Sequence, residues 1–410
     1  MPERGDNGAR VVIAGGGVAG VEALLALRDL AGDRARLTMI APDVDFVYKP
    51  LLVEEPFGLG PPEQYALEPL AEENGAEFML RALSAVDPAE HRLELDDGSA
   101  VDYDYLVVCV GGRFVPAFAH AITFPNPEEP FSIDPVLDKA AAGSGRVAFV
   151  VPPSITWSLP IYEVALMTER RARERGMDVK ITLITPEATP LAAFGATASA
   201  AVGELLGGRR IEAVCGERAH EEDGDLVLTP GDRRIEADVV ISLPTMEGPA
   251  IAGLPQDEDG FIPVDQHSRV RGADEVYAAG DGTNFPLKQG GLATQQADAA
   301  AEHIAHRLGA PVAPEPFRPV LRGQLLTGEA SLHMRAEIAG GGGEGAASLD
   351  RLWWPPHKIS GRYLAPMLHH GELHTQGRPP GETLDVEVAL PQEWHVEPMT
   401  IDPHAPPKVD

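Results

Sequence analysis

The chain is one pattern written twice. Residues 10–20, RVVIAGGGVAG, run through VEALLALRDL to LTMIAP at 37–42. Residues 146–157, RVAFVVPPSITW, run through IYEVALMTERRARERG to ITLITP at 181–186. Each copy has a short apolar run, a turn, a stretch of helical period and a second apolar run, which is the order of a βαβ unit. The pairing continues downstream, where HRLELDDGSAVDYDYLVVCVGG (91–112) parallels GDLVLTPGDRRIEADVVISLP (224–244). Each of these has an alternating strand, a D-G or G-D turn and a buried β-branched strand. Two copies of one nucleotide-binding module account for the whole pattern; two unrelated α/β units are the alternative.

The first turn carries Gly15, Gly17 and Gly20 as G-x-G-x-x-G. A chain with 43 glycines makes that spacing by chance, and Gly340, Gly342 and Gly345 do so inside EIAGGGGEGAAS, which reads as a flexible loop. The first match differs in its context, since it follows an apolar β-branched strand and opens a helix. There the first glycine allows a tight turn, the second lets a pyrophosphate approach the backbone and the third lets helix and strand pack closely. The helix N-terminus offers N–H groups and partial positive charge to phosphates. The carboxylate that normally ends the second strand is displaced: Ala41 stands there, followed by Pro42 and Asp43. Asp43 or the backbone is therefore expected to meet the ribose.

The most specific stretch is EVYAAGDGTNFPLKQGGLATQQADAAAEHIAHRL (275–308). A buried strand delivers Gly280 and Asp281, a loop carries Lys288, and a helix begins near Gly291. Taken with FVYKPLL (46–52), YDYLVVCVGG (103–112) and the degenerate second module, this order resembles the sulfide:quinone oxidoreductase and flavocytochrome c sulfide dehydrogenase group of the FAD-dependent pyridine nucleotide-disulfide oxidoreductase superfamily. Type II NADH dehydrogenases are relatives of that group. The likeness covers about residues 9–310 and, less closely, WWPPHKISGRYLAP (353–366).

The resemblance implies bound FAD and electron transfer from a small donor to an acceptor, often a quinone. It places Asp281 at the ribitol and pyrophosphate region, and Gly111, Gly291, Leu292 and Ala293 at the cofactor. It places Lys49 close to the flavin, and Lys288 beside the flavin and acceptor pocket, where a positive charge favours the negative charge of reduction.

The group's sulfide chemistry uses two cysteines beside the flavin, attacked and regenerated by thiol–disulfide exchange. This chain has Trp157 in one of those regions and no cysteine in the other, VLRGQLLTGEA (320–330). Its two cysteines, Cys109 and Cys215, read as buried structural thiols. The second turn is also altered. Pro152 and Pro153 remove two N–H donors and Trp157 adds bulk where a phosphate would lie. Trp157 and Pro160 are expected to wall a pocket over the flavin, with plain packing as the alternative.

The formal net charge of −30 opposes nucleic acid and anionic lipid. No run approaches a membrane span, and MPERGDNGAR lacks an apolar signal region, so the expected location is cytoplasmic. His303 and His306 are expected on a solvated helix face, and no metal site is expected. Trp353, Trp354, Tyr363 and Met367 either line an apolar pocket, seat a partner, or pack in the core or in a homodimer.

The expected fold is α/β. Two Rossmann-like, three-layer ββα dinucleotide-binding domains are expected, the second inserted in the first: residues 9–115 with 265–315, and 116–264. A C-terminal interface region with a polar tail, 316–410, follows. The expected function is an FAD-dependent oxidoreductase passing electrons between a small-molecule donor and a quinone or soluble acceptor without a cysteine relay. The alternatives are a type II NADH dehydrogenase-like enzyme and a non-catalytic flavin-binding partner protein.

Overall fold

The computed structural model of the chain describes residues 8–154, 157–337, 345–355 and 357–375. The Gly340 and Gly342 loop and the tail beyond 375 lie outside the described residues.

The written repeat is a folded repeat. The first parallel sheet has the strand order Val276–Ala278, Tyr105–Val108, Ala9–Ala14, Ala35–Ala41, Ala76–Leu80. The second has Ile122–Thr123, Val239–Ser242, Arg146–Val150, Lys180–Thr185, Glu212–Cys215, also parallel throughout. Each module adds a three-stranded antiparallel sheet, Leu83–Asp87 with Arg92–Leu95 and Ala100–Asp102 in one, and Arg218–Glu222 with Asp225–Thr229 and Arg233–Arg234 in the other.

Period-2 alternation decides which layer each side chain enters. Val11 and Ile13 face the helical layer with Leu24 and Leu27 of the helix Val18–Ala31 and Ile304 of the helix Gly290–Arg307. Val12 and Ala14 face the antiparallel layer with Val86, Leu93 and Leu95. Strands buried on both faces need apolar residues at every position, which is why these runs show no polar alternation.

The chain returns to the first module earlier than residue 265. Thr245–Glu247 pairs antiparallel with Arg113–Val115, the two strands crossing between modules. Ala252 bridges to Ala85, and Ile251 and Leu254 pack with Val86 and Leu93. Their apolar side chains fill the antiparallel face of the first module, so the crossover falls near residue 248.

The segment after 316 serves both modules. In the hairpin Val320–Leu325 with Leu332–Glu337, Leu321, Leu325 and Met334 join the second core. Ile359 and, from the helix Leu364–Thr375, Leu364 and Leu368 join the first. Trp353 stacks edge-on to His333 at 5.2 Å and donates to the His357 carbonyl at 2.9 Å. Tyr363 and Met367 pack against the first core. Tyr363 and Met367 thus hold the C-terminal segment to the first module, while Trp353 ties that segment to itself.

Candidate functional site

One elongated cavity of about 600 Å³ begins at the first glycine turn and ends between the second module and the C-terminal hairpin. At its outer end Gly15 takes φ +121°, a conformation that favours glycine, and a Cβ on Gly20 would stand 1.9 Å from the Gly15 carbonyl oxygen. Gly20 therefore does not face the cavity; it lets the helix start close beneath the turn. A Cβ on Gly17 would meet nothing within 4 Å, so that backbone opens to the cavity. Asp43 lines the same end. So does Asp45, two residues further on, which no sequence motif marks.

The middle is built by residues far apart in sequence. Gly111, at φ +75°, and Gly280, at φ +86°, bring two strand ends together with Asp281. Gly280 packs on Ala19 and Ala293, where its own Cβ would come within 3.2 Å of Ala19. Asp281 faces the cavity and accepts no hydrogen bond among the described residues. Burial raises its pKa, and Lys288 and then Lys49 counter that shift. Two carboxylate oxygens free of protein donors, beside a glycine turn with exposed backbone, fit the hydroxyl and pyrophosphate groups of a dinucleotide such as FAD.

Lys288 is no surface ammonium, being 6% exposed. Its Nζ sits 3.8 Å from the centre of the Phe261 ring and donates to the Thr283 carbonyl. Burial lowers its pKa to about 8, against the pull of Asp281 and Asp257. Lys49 lies at the exposed rim of the same cavity.

The start of the helix Gly290–Arg307 departs from expectation. Gln289 caps it, its side chain accepting from the Leu292 N–H at 2.9 Å and its carbonyl from Ala293. Gln289, Gly290 and Ala293 line the cavity, whereas Gly291 lies against the Gln289 side chain and Leu292 is buried in the second core. Gly291 and Leu292 thus belong behind the wall. Helical geometry turns them away from the face that Gly290 and Ala293 share.

At the inner end, Trp157 and Pro160 line the cavity, and Trp157 packs on Phe194 with ring centres 5.7 Å apart. Glu163, fully buried, is held by Lys358 at 2.7 and 2.8 Å and accepts from the Leu326 N–H at 2.8 Å. Lys358 also donates to the Pro50 carbonyl at 3.0 Å, so one ion pair joins four segments of the chain. Burial carries the Glu163 pKa up to about 6, with Lys358 opposing. Neither Glu163 nor Lys358 carries a motif that would have marked it in sequence. Arg322 and Gln324 complete this end.

The cysteines and histidines settle elsewhere. Cys109 lies just past its strand, under the glycine turn, and burial pushes its thiol up to about 12. Cys215 is half-buried at the edge of the second sheet rather than fully buried, because among the described residues no strand pairs with the outer side of Glu212–Cys215. His303 is half-buried rather than fully solvated: Tyr277 meets its Nδ1 at 2.7 Å, the His267 ring lies tilted against it at 5.3 Å, and burial lowers its pKa to about 4. His306 pairs with the Val312 carbonyl at 2.9 Å.

A glycine turn, a Gly-Asp strand end and a duplicated parallel-sheet module define a two-module, Rossmann-like dinucleotide-binding fold. The chain belongs to the pyridine nucleotide-disulphide oxidoreductase family, whose model matches residues 9–133 and 163–303. The interruption contains the proline turn. The chain is 25% identical over 264 residues to the sulfide-quinone reductase of Aquifex aeolicus (strain VF5), covering 60% of this chain and 61% of that protein. It is 24% identical over 337 residues to the alternative NAD(P)H-ubiquinone oxidoreductase C1 of Arabidopsis thaliana, covering 71% and 64%. Both matches span less than two thirds of the relative's length. The fold is that of the sulfide:quinone oxidoreductase structure from Aquifex aeolicus, with TM-score 0.73 and 20% identity over 83% of this chain and 87% of that one. No helix among the described residues is long and apolar enough to cross a membrane.

Proposed function

We propose that this chain is an FAD-dependent oxidoreductase that takes electrons from a small-molecule donor directly, with no cysteine relay, and passes them to a quinone or a soluble acceptor. The observation that carries the reading is the cavity itself. It runs without interruption from the glycine turn to Trp157, and of the two cysteines only Cys109 lines it. A disulfide relay needs two sulfurs within bonding reach, and the one here is held as a thiol far above neutral pH.

FAD, when bound, supplies reversible storage of two electrons. In this reading Gly15, Gly17, Asp43 or Asp45, Gly111 and Asp281 hold it, while Gly290 and Ala293 lie beside it at the helix start. Lys288 keeps a cation in a low-dielectric wall, and Lys49 adds one at the rim. Trp157 and Pro160 exclude water from the inner end, and Glu163, its pKa raised by burial to about 6, is the carboxyl placed to exchange a proton there. A cytoplasmic, water-soluble enzyme is the setting that fits the net charge.

Anaerobic stopped-flow absorbance with NADH, NADPH and sulfide tests this reading. The expected result is visible bound flavin that none of the three bleaches rapidly. Rapid bleaching by a nicotinamide would move the function to an NAD(P)H dehydrogenase, and a protein that binds no flavin would overturn the proposal.

A further inference from the structure

Five cations line the cavity: Lys49, Arg113, Lys288, Arg322 and Lys358. Lys358 is committed to Glu163, Lys288 to the Thr283 carbonyl and the Phe261 ring, and Arg113 to Glu247. Lys49 is exposed and acts on Asp281. Arg322 alone is partly buried with no hydrogen bond or ion pair to its guanidinium among the described residues.

Its position is fixed from both sides. The Arg322 carbonyl accepts from the Gln289 side chain at 3.1 Å, and the strand end is held where Leu326 donates to Glu163. Strand alternation sends Leu321 and Leu325 into the second core and leaves Arg322 and Gln324 facing the other way. Gly323, on the core face of the strand, lies against Phe194 and Leu159, and Phe194 packs on Trp157; Arg322 and Trp157 both line the cavity.

The neighbours do not neutralise it. Across the hairpin Arg322 stands in register with Arg335, a like charge, while Glu337 is already bonded by Arg335 at 3.3 Å. Burial brings the Arg322 pKa down to about 10; Arg335 adds to the shift and Glu337 opposes it. An unpaired guanidinium withdrawn from water is costly unless something pairs with it.

We infer that Arg322 is the recognition point for the carboxylate of a small organic substrate whose apolar body lies against Trp157 and the neighbouring Leu52, Phe124 and Pro160. The guanidinium fork matches a carboxylate in bidentate geometry, and the wall beside it offers hydrocarbon and aromatic surface. With a net charge of −30 the long-range field repels anions, so selection for one must be made locally. This inference rests on the reading that the inner end of the cavity is where a donor or acceptor meets the flavin.

The test uses benzoate and its neutral analogue benzamide as probes on the purified flavin-loaded protein. Binding is followed by the visible flavin band and by Trp157 fluorescence, taken as the difference from Trp157→Phe. Benzoate is expected to bind saturably and about tenfold or more tighter than benzamide. Arg322→Gln is expected to weaken benzoate by about 10- to 100-fold, with benzamide binding and flavin content unchanged and the melting temperature equal or higher, and Arg322→Lys to fall between. Equal binding of the two probes by the wild type, which needs no variant, would overturn the inference. So would undiminished benzoate binding by Arg322→Gln, or a folded Arg322→Gln that has lost its flavin, since the arginine would then be a cofactor ligand. Should the protein carry no flavin, the proposed function falls, and the fluorescence titration still decides the role of Arg322.

Discussion

The two modules have the same strand order and the same helix position, yet their turns serve opposite purposes. In the first, residues 15–17 connect strand to helix, and glycine lets the backbone itself line the cavity. In the second, between the strand end at Val150 and the helix start at Leu159, Pro152 and Pro153 remove donors and the Trp157 side chain lines the cavity. A shared fold therefore presents backbone at one end of the cavity and side chains at the other. Glu22 in VEALL and Glu163 in YEVAL occupy matching places in the two copies, and both are fully buried. Each grips the C-terminal segment. Glu22 accepts from the Tyr363 and Leu364 N–H groups at 2.9 and 2.7 Å, whereas Glu163 binds Lys358. The duplicated carboxylate has become a pair of clasps, one closed by a helix start and one by an ammonium.

The comparison breaks most visibly at the turns. Gly20→Val puts carbon onto the Gly15 carbonyl with no side chain able to yield, and flavin content is expected to fall by about tenfold or more. Pro152→Gly with Pro153→Gly should leave flavin content unchanged, because this turn contributes side chains rather than N–H groups. The ratio of 450 nm to 280 nm absorbance of each purified variant reads both. If the double variant also became reducible by NADH, the prolines alone would be what distinguishes the turns.

The second clasp gives the next effect. Lys358→Met leaves the Glu163 carboxylate buried without its cation, and a loss of about 3–5 kcal/mol is expected in urea unfolding. Adding Glu163→Gln should recover most of that loss, since the pair and an uncharged replacement differ little. A single-variant cost below about 1 kcal/mol would show that water reaches the pair.

The duplication, the order of elements and the outer half of the site were legible because they depend on local pattern. Apolar runs, glycines with restricted φ and a Gly-Asp strand end leave marks within a few residues of where they act. The inner half was legible only in part. Trp157 stands out as a bulky residue in a turn, but Arg322, Glu163 and Lys358 gain meaning only when the hairpin folds across the second module. No local pattern encodes that approach. The helix start shows the same limit at smaller scale. Gly291 and Leu292 sit beside the right residues in sequence, yet a 100° turn per residue places them behind Gly290 and Ala293. Residue 265 as a boundary failed because Ile251 and Leu254 look like loop residues until the face they cover is known.

The first clasp differs from the second in having no cation. Asp298 lies against Glu22, and burial followed by the charge of Glu22 drives its pKa well above the ordinary 3.8, while burial also raises Glu22. Backbone donors favour the ionised form of Glu22, so Asp298 holds the proton and donates it. A carboxyl whose pKa is raised on folding contributes stability that is complete below the unfolded value and is lost as pH climbs toward the folded one. Asp298→Asn keeps a donor and removes the titration. It should therefore gain about 1 kcal/mol or more at pH 8 and nothing at pH 3, read from melting curves across that range. A gain equal at both pH values would place the effect in packing instead.

The smallest expected effect concerns sulfur. With its pKa near 12, Cys109 is ionised to about one part in ten thousand at pH 8, and only a thiolate attacks a disulfide or an alkylating agent. Native protein should leave Cys109 unmodified by iodoacetamide while urea exposes it. Cys109→Ala combined with Cys215→Ala should keep flavin reduction, by whichever donor reduces the wild type, within about twofold, because small packing changes beneath the turn are the only loss. A collapse of that rate with flavin still bound would mean that a thiol takes part in the chemistry after all. The side-chain end of the cavity would then lose its claim to be the place where electrons arrive, and the glycine end, above Cys109, would gain it.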